Sequence, residues 1–243
     1  MHGEFTIIEH LGELRKRALF SLAAIVIAAL VCIPFSPLIL KFLKYPSGGA
    51  IDKLVFFSPE EAFLIYMRIS MTAGLVIALP VILFQLWAFL SPAIDAKFRK
   101  YAFVFVSFSF LVFILGCAFS YFLLLPAALK FLLNIGKADL EPLISATKYI
   151  SFITGLILAC GIVFEMPVIS FFLTRIGVVN AAMLRKKFLY ALIVIMIAAA
   201  VITPTGDAFN MLMLALPMLF LYEVSIWVSF FSERKGMSHE KRV

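Results

Sequence analysis

The chain has 243 residues, is 64% hydrophobic, and carries a net charge of +7 from 21 basic and 14 acidic residues. Its mean hydropathy of +1.09 excludes an ordinary soluble domain, whose apolar content is roughly 45–50%. An all-α integral membrane protein is expected, one polytopic domain over residues 1–243.

The N-terminal segment Thr6-Ile-Ile-Glu9 has the Ser/Thr-x-x-Glu form of a capping box and predicts a helix from Thr6. Ile7, Leu11, Leu14 and Ala18 share one face, and Glu9, Glu13 and Arg17 another. This amphipathic helix should lie at the membrane interface and lead into span 1, residues 18–34. That first apolar run ends in Pro34-Phe-Ser-Pro37 without an Ala-x-Ala-like site, so the span reads as retained rather than as a signal peptide. A polar connection follows, punctuated by Pro37, Pro46-Ser-Gly-Gly49 and Pro59, with room for a short surface helix over Leu38–Lys44. Span 2 is predicted over 63–90, holding Arg68 and Pro80, and span 3 over 101–125. Residues 126–148 read as a second long connection. Span 4 covers 150–173, and a basic linker runs from Thr174 to Lys187. Span 5, residues 188–202, is only about 15 residues or roughly 22 Å of helix, too short for a standard bilayer. Thr203-Pro-Thr-Gly-Asp207 turns it into span 6, residues 209–231, interrupted by Pro217. Spans 5 and 6 thus read as a short hairpin.

Fourteen of the 21 basic residues fall in the N-terminal segment, the 91–100 and 174–187 linkers and the C-terminal tail. Six spans with both termini in the cytoplasm satisfy the positive-inside bias, so the basic excess reads as topological rather than as a nucleic-acid patch. Cys32, Cys117 and Cys160 lie in apolar runs and form neither a disulfide nor a metal pattern. The three histidines are near the chain ends, and no His-Glu-x-x-His, Gly-x-Ser-x-Gly or phosphate-loop signature occurs. No enzyme, cofactor or metal site is expected.

Acidic residues carry the remaining chemistry. Glu165 sits inside span 4, two residues before Pro167. A carboxyl at that depth costs on the order of 2.5–3.5 kcal/mol and normally faces a bundle interior or wet cavity. The proline removes a hydrogen bond and kinks the helix beside it. Two readings are open: a functional polar cavity, or a protonated acid bonded to a neighbouring helix. Glu13 either receives a guanidinium at the interface or pairs with Arg17 at i,i+4. Glu223, near the end of span 6, reads as structural, and Asp207 as a helix cap or turn residue.

A broader resemblance covers nearly the whole chain. Its motifs are His10-Leu-Gly-Glu-Leu-Arg-Lys-Arg17, Ser58-Pro59, the run from Leu79 to Pro92, Phe119-Ser-Tyr-Phe122, Tyr149-Ile-Ser-Phe152, Phe164-Glu-Met-Pro167, Leu184-Arg-Lys-Lys187, Thr203-Pro204 and Ala215-Leu-Pro217. In this order they resemble the TatC family, the multispanning core of the twin-arginine protein translocase. The resemblance implies a concave, glove-like arrangement of six helices in the prokaryotic cytoplasmic membrane. It implies a receptor for folded cargo bearing paired arginines, and a platform for TatA- and TatB-type single-span subunits in an oligomeric complex driven by the proton-motive force. By the same resemblance, Glu13, with Leu14 and Arg15 beside it, falls in the signal-peptide site. A second family acid is replaced here by Phe98, and Asp95, one helical turn earlier, is its candidate substitute. Phe89, Pro46 and Tyr121 map to sensitive positions, and Glu165, Asp207 and Asn210 to an intramembrane polar site. The face Ala191–Val201 is where partner subunits would gather. The alternative is a proton-coupled small-solute transporter using Glu165, although the two halves show no internal repeat.

Overall fold

The computed structural model describes residues 7–49, 51, 53–90, 102–135, 143–203 and 207–240. The first helix, α1, is continuous over Ile7–Cys32, so the amphipathic segment and span 1 form one rod. Thr6, the expected cap, lies outside the described residues. No proline occurs before Pro34, which sits in a 3-10 turn over Ile33–Phe35. There its missing N–H costs nothing, and helical structure continues as α2, Ser36–Lys44. A second 3-10 turn, Tyr45–Ser47, stops at Gly48, whose φ of 58° lies in the left-handed region that favours glycine.

Helix α3 spans Pro59–Leu90 with Pro80 inside it. Its start is closed by Glu61, whose Oε2 accepts the Phe57 N–H at 3.1 Å. Helix α4, Ala102–Phe119, passes through a π turn, Ser120–Leu124, into α5, Leu125–Ile135. The sequence reading ended span 3 at residue 125 and made Pro126 the start of a connection; the helix instead runs ten residues further. The wide turn explains this. Leu125 N–H reaches back to Ser120 O, and Pro126 takes the next position, where a helix start requires no N–H.

Helix α6, Ala146–Phe164, is capped by Ser145. Glu165 interrupts it, and α7 resumes over Met166–Arg175 with Pro167 in its first turn. Gly177, at φ 76°, ends α7: Val178 N–H bonds Leu173 O at 2.9 Å, a closure that needs the left-handed conformation. The linker 174–187 then contains its own short helix, α8, Ala181–Lys186, capped by Asn180. Helix α9 covers Phe188–Ile202, matching the short fifth span. Helix α10 covers Ala208–Glu240, continuing beyond the predicted end at Phe231 through helix-compatible residues Ser232-Glu-Arg-Lys.

Among the described residues, five helical runs are long and apolar enough to cross a bilayer: Gly12–Ser47, Pro59–Phe89, Ala102–Asn134, Ala146–Arg175 and Ala208–Glu233, with Phe188–Ile202 a shorter apolar helix. They correspond to the six expected spans, and the protein is all-α and multi-pass. Among the described residues, extended pairing is limited to an isolated parallel bridge, Val55 to Ser145.

The chain divides into two compact units, Met1–Phe42 with Ala62–Phe110, and Leu43–Glu61 with Leu111–Val243. In the first, α1 and α3 approach backbone to backbone: a Cβ on Gly74 would lie 2.5 Å from Ala29 N. Small residues permit such contact in membranes, where dispersion rather than water expulsion holds helices together. In the second unit α4 and α6 meet in the same way, with Gly116 against Cys160 O and Gly161 against the Phe113 ring. Helix α7 packs along α10, where Thr174 Oγ1 donates to Ser229 Oγ at 2.8 Å. Phe131 of α5 stacks on Phe209 of α10 with centroids 4.0 Å apart.

Candidate functional site

Glu13 and Arg17 lie one turn apart on α1, and the local pair expected from their spacing is formed. Arg17 Nε donates to Glu13 Oε1 at 3.0 Å, and its Nη2 reaches the same oxygen. The third partner was not foreseen: Arg17 Nη1 donates to Gln85 Oε1 at 3.3 Å, joining α1 to α3. A lone Gln in the apolar run Leu79–Leu90 was the available signal. These residues line a cleft of about 280 Å³ with Lys16 and Phe20. Both bonds to Glu13 fall on Oε1, and among the described residues Oε2 accepts none. About 29% of the Glu13 side chain is exposed, so the second oxygen has room for a further donor. Leu14 and Arg15 are exposed beside it. Phe89 lies half-buried in the last turn of α3. Asp95 and Phe98 lie outside the described residues.

The second unit holds the other candidates. Glu165 is buried at the break between α6 and α7, with φ −70° and ψ −13°. Ile169 N–H returns to Glu165 O at 2.9 Å, so the α7 ladder restarts from the acid itself. The expected break therefore coincides with the carboxyl. Asp207 and Asn210 are brought together at the start of α10. Asp207 Oδ1 accepts the Asn210 N–H at 2.7 Å, and Oδ2 accepts Asn210 Nδ2 at 2.8 Å. This is the helix-cap arrangement of the sequence reading, with both oxygens used. Asn210 borders a small space of about 10 Å³ with Leu156 and Thr203. Along α6, Phe164 lies on the order of 12 Å from Leu156 by helical rise, so Glu165 and the Asp207–Asn210 pair sit at different levels.

Pro46 is buried in its 3-10 turn and borders a cleft of about 550 Å³ with Tyr45, Gly48, Tyr121 and Phe122. Tyr121 packs edge-on against Phe122, with centroids 4.9 Å apart. Tyr149, quoted above only as part of a motif, proves to be a strut of this region. Its hydroxyl donates to Leu43 O at 3.2 Å, while Ala146 N–H and Val55 O bond at 2.8 Å nearby. Glu223 accepts from Arg185 at 3.5 Å, consistent with a structural part. Among the described residues, no group of His, Cys, Asp and Glu could hold a metal ion.

Comparisons with known proteins bear on this arrangement. The family model described as Sec-independent protein translocase protein (TatC) matches residues 9–217. TatC of Carboxydothermus hydrogenoformans is 35% identical over 237 residues, covering 98% of both chains. TatC of Helicobacter pylori strain 26695 is 39% identical over 220 residues, covering 90% of this chain and 85% of its own. A crystal structure of the twin-arginine translocase receptor TatC superposes with a TM-score of 0.85 at 34% identity, covering 93% of this chain and 100% of that one. A second, in DDM, gives 0.84 at 36% identity, with 91% and 99% covered. None of these supports the solute-transporter alternative. With the family model spanning α1 to α10 and the fold superposing over almost its full length, the chain belongs to the TatC family of Sec-independent protein translocase components.

Proposed function

We propose that this translocase component is the receptor for twin-arginine signal peptides, with Glu13 as the arginine-binding carboxylate. The observation that carries the reading is the geometry at α1: one Glu13 oxygen is held by Arg17 while the other accepts no bond from the described residues. A visiting guanidinium bonding Oε2 would be charge-assisted, worth about 1.5–3 kcal/mol. Gln85, through Arg17, fixes the carboxylate's orientation. Asp95 supplies the second acid in place of the one lost at Phe98. The exposed face of α9, with Ile193, Val194, Ile197 and Val201 outward, is where TatA- and TatB-type helices dock, within an oligomeric complex. Glu165 and the Asp207–Asn210 pair contribute polar positions to that assembly. The protein resides in the cytoplasmic membrane with both termini inside, has no enzymatic activity, and draws energy from the proton-motive force.

Binding of a twin-arginine signal peptide to the purified protein tests this directly, beside a twin-lysine control. A preference of tenfold or more for arginine is expected, because Lys lacks the planar fork that pairs with a carboxylate. Equal affinity for the two peptides would remove the receptor assignment.

A further inference from the structure

We infer that a cleft between α8 and α10 binds the headgroup of an anionic phospholipid. The cleft encloses about 430 Å³ and is lined by Ala181, Ala182, Arg185, Ile226, Trp227, Phe230 and Glu233. That volume is within the range of small-ligand sites, roughly 300–1,000 Å³. Its walls are of two kinds. Phe230, 42% exposed, offers an apolar surface over a buried Ile226. Arg185 supplies a guanidinium whose side chain is 70% exposed and whose described bond, to Glu223, is long at 3.5 Å.

Charge and depth point to the same occupant. Arg185 is followed by exposed Lys186 and Lys187, a run of three cations where the apolar helices end. Basic pockets between membrane helices at this level hold anionic headgroups, aided by the negative potential of the leaflet surface. Trp227, 55% exposed, marks the headgroup level because its ring is amphipathic. Among the described residues its indole N–H has no acceptor, so it can donate to a phosphate or ester oxygen. The one acid in the lining is already engaged: Glu233 Oε1 accepts the Ala181 N–H at 2.6 Å. Its charge is thereby held at the start of α8. The phosphate would sit between Arg185 and Trp227, with the chains entering the bilayer along the outer face of α10. This inference is independent of the signal-peptide reading, since no residue is shared with the cleft at Glu13.

The test is a native mass-spectrometric titration of the purified full chain with phosphatidylglycerol and, separately, phosphatidylcholine. Wild type should retain the anionic lipid roughly tenfold more tightly, and Arg185→Gln should lose most of that preference, whereas Lys148→Gln, an exposed base at the other end of α6, should keep it. A parallel readout uses wild type in nanodiscs and does not depend on Arg185→Gln folding. Brominated phosphatidylglycerol should quench the Trp227 fluorescence, identified as the part lost in Trp227→Phe, more than brominated phosphatidylcholine does. Equal quenching by the two lipids, or an unchanged preference in folded Arg185→Gln, would overturn the proposal. So would a cross-link from the Phe230→Cys variant to a second copy or to another protein's helix in place of lipid.

Discussion

Glu13 and Asp207 are both carboxylates near the end of a helix, yet the molecule uses them in opposite ways. Asp207 has both oxygens filled from within its own first turn, by the backbone and side chain of Asn210. Glu13 concentrates two bonds on one oxygen, and among the described residues the other accepts none. The difference teaches that the presence of an acid says less than the bookkeeping of its lone pairs. A filled carboxylate shapes the chain that carries it, and a half-filled one can meet a visitor.

The sharpest way to break this contrast is charge reversal. Glu13→Lys should weaken twin-arginine peptide binding on the order of 10–100-fold, the equivalent of about 1.5–3 kcal/mol, read by titration against the purified protein. Asp207→Lys giving the same loss would erase the distinction. Next comes the support beneath Glu13. Gly74→Ala puts a methyl 2.5 Å from Ala29 N, and neither backbone can yield cheaply. It should destabilise the protein by about 1–3 kcal/mol, seen as a lower unfolding midpoint in detergent, and should loosen the Arg17–Gln85 link. A smaller effect is expected at the cap: Asp207→Ala should cost about 1 kcal/mol of stability, Asp207→Asn much less, and neither should change peptide affinity. Smallest is the stability cost of Glu13→Gln, about 0.3–0.5 kcal/mol for a partly exposed i,i+4 pair. A large stability loss there would mean that Glu13 is structural after all.

Much of this was legible before any coordinates. Apolar run lengths and the flanking Pro, Gly and basic residues located the spans, because a bilayer enforces helix length. Pro167 announced the break at Glu165, since a missing N–H is a local fact. What sequence left hidden was tertiary or conditional. Gln85 pairs with Arg17 across 68 positions, and no local spacing encodes that. Pro126 looked like a terminator, but its effect depends on the hydrogen bond demanded at that position, and the turn before it had already released the demand. The cleft at Trp227 arises only when α8, hidden inside what read as a linker, packs beside α10. Tyr149 gave no sign of its bond to Leu43 O, because an aromatic in an apolar run reads as ordinary packing.

The π turn at Ser120–Leu124 has a further consequence. Each residue advances a helix by about 100°, and a π turn accommodates one residue more than an α turn. Everything downstream is therefore indexed one step around the axis, and Phe131 meets Phe209 with that offset included. Removing a single residue there would tidy the hydrogen bonds and swing α5 by about 100°, parting the two rings. The local irregularity is thus what keeps the far end of the rod in phase.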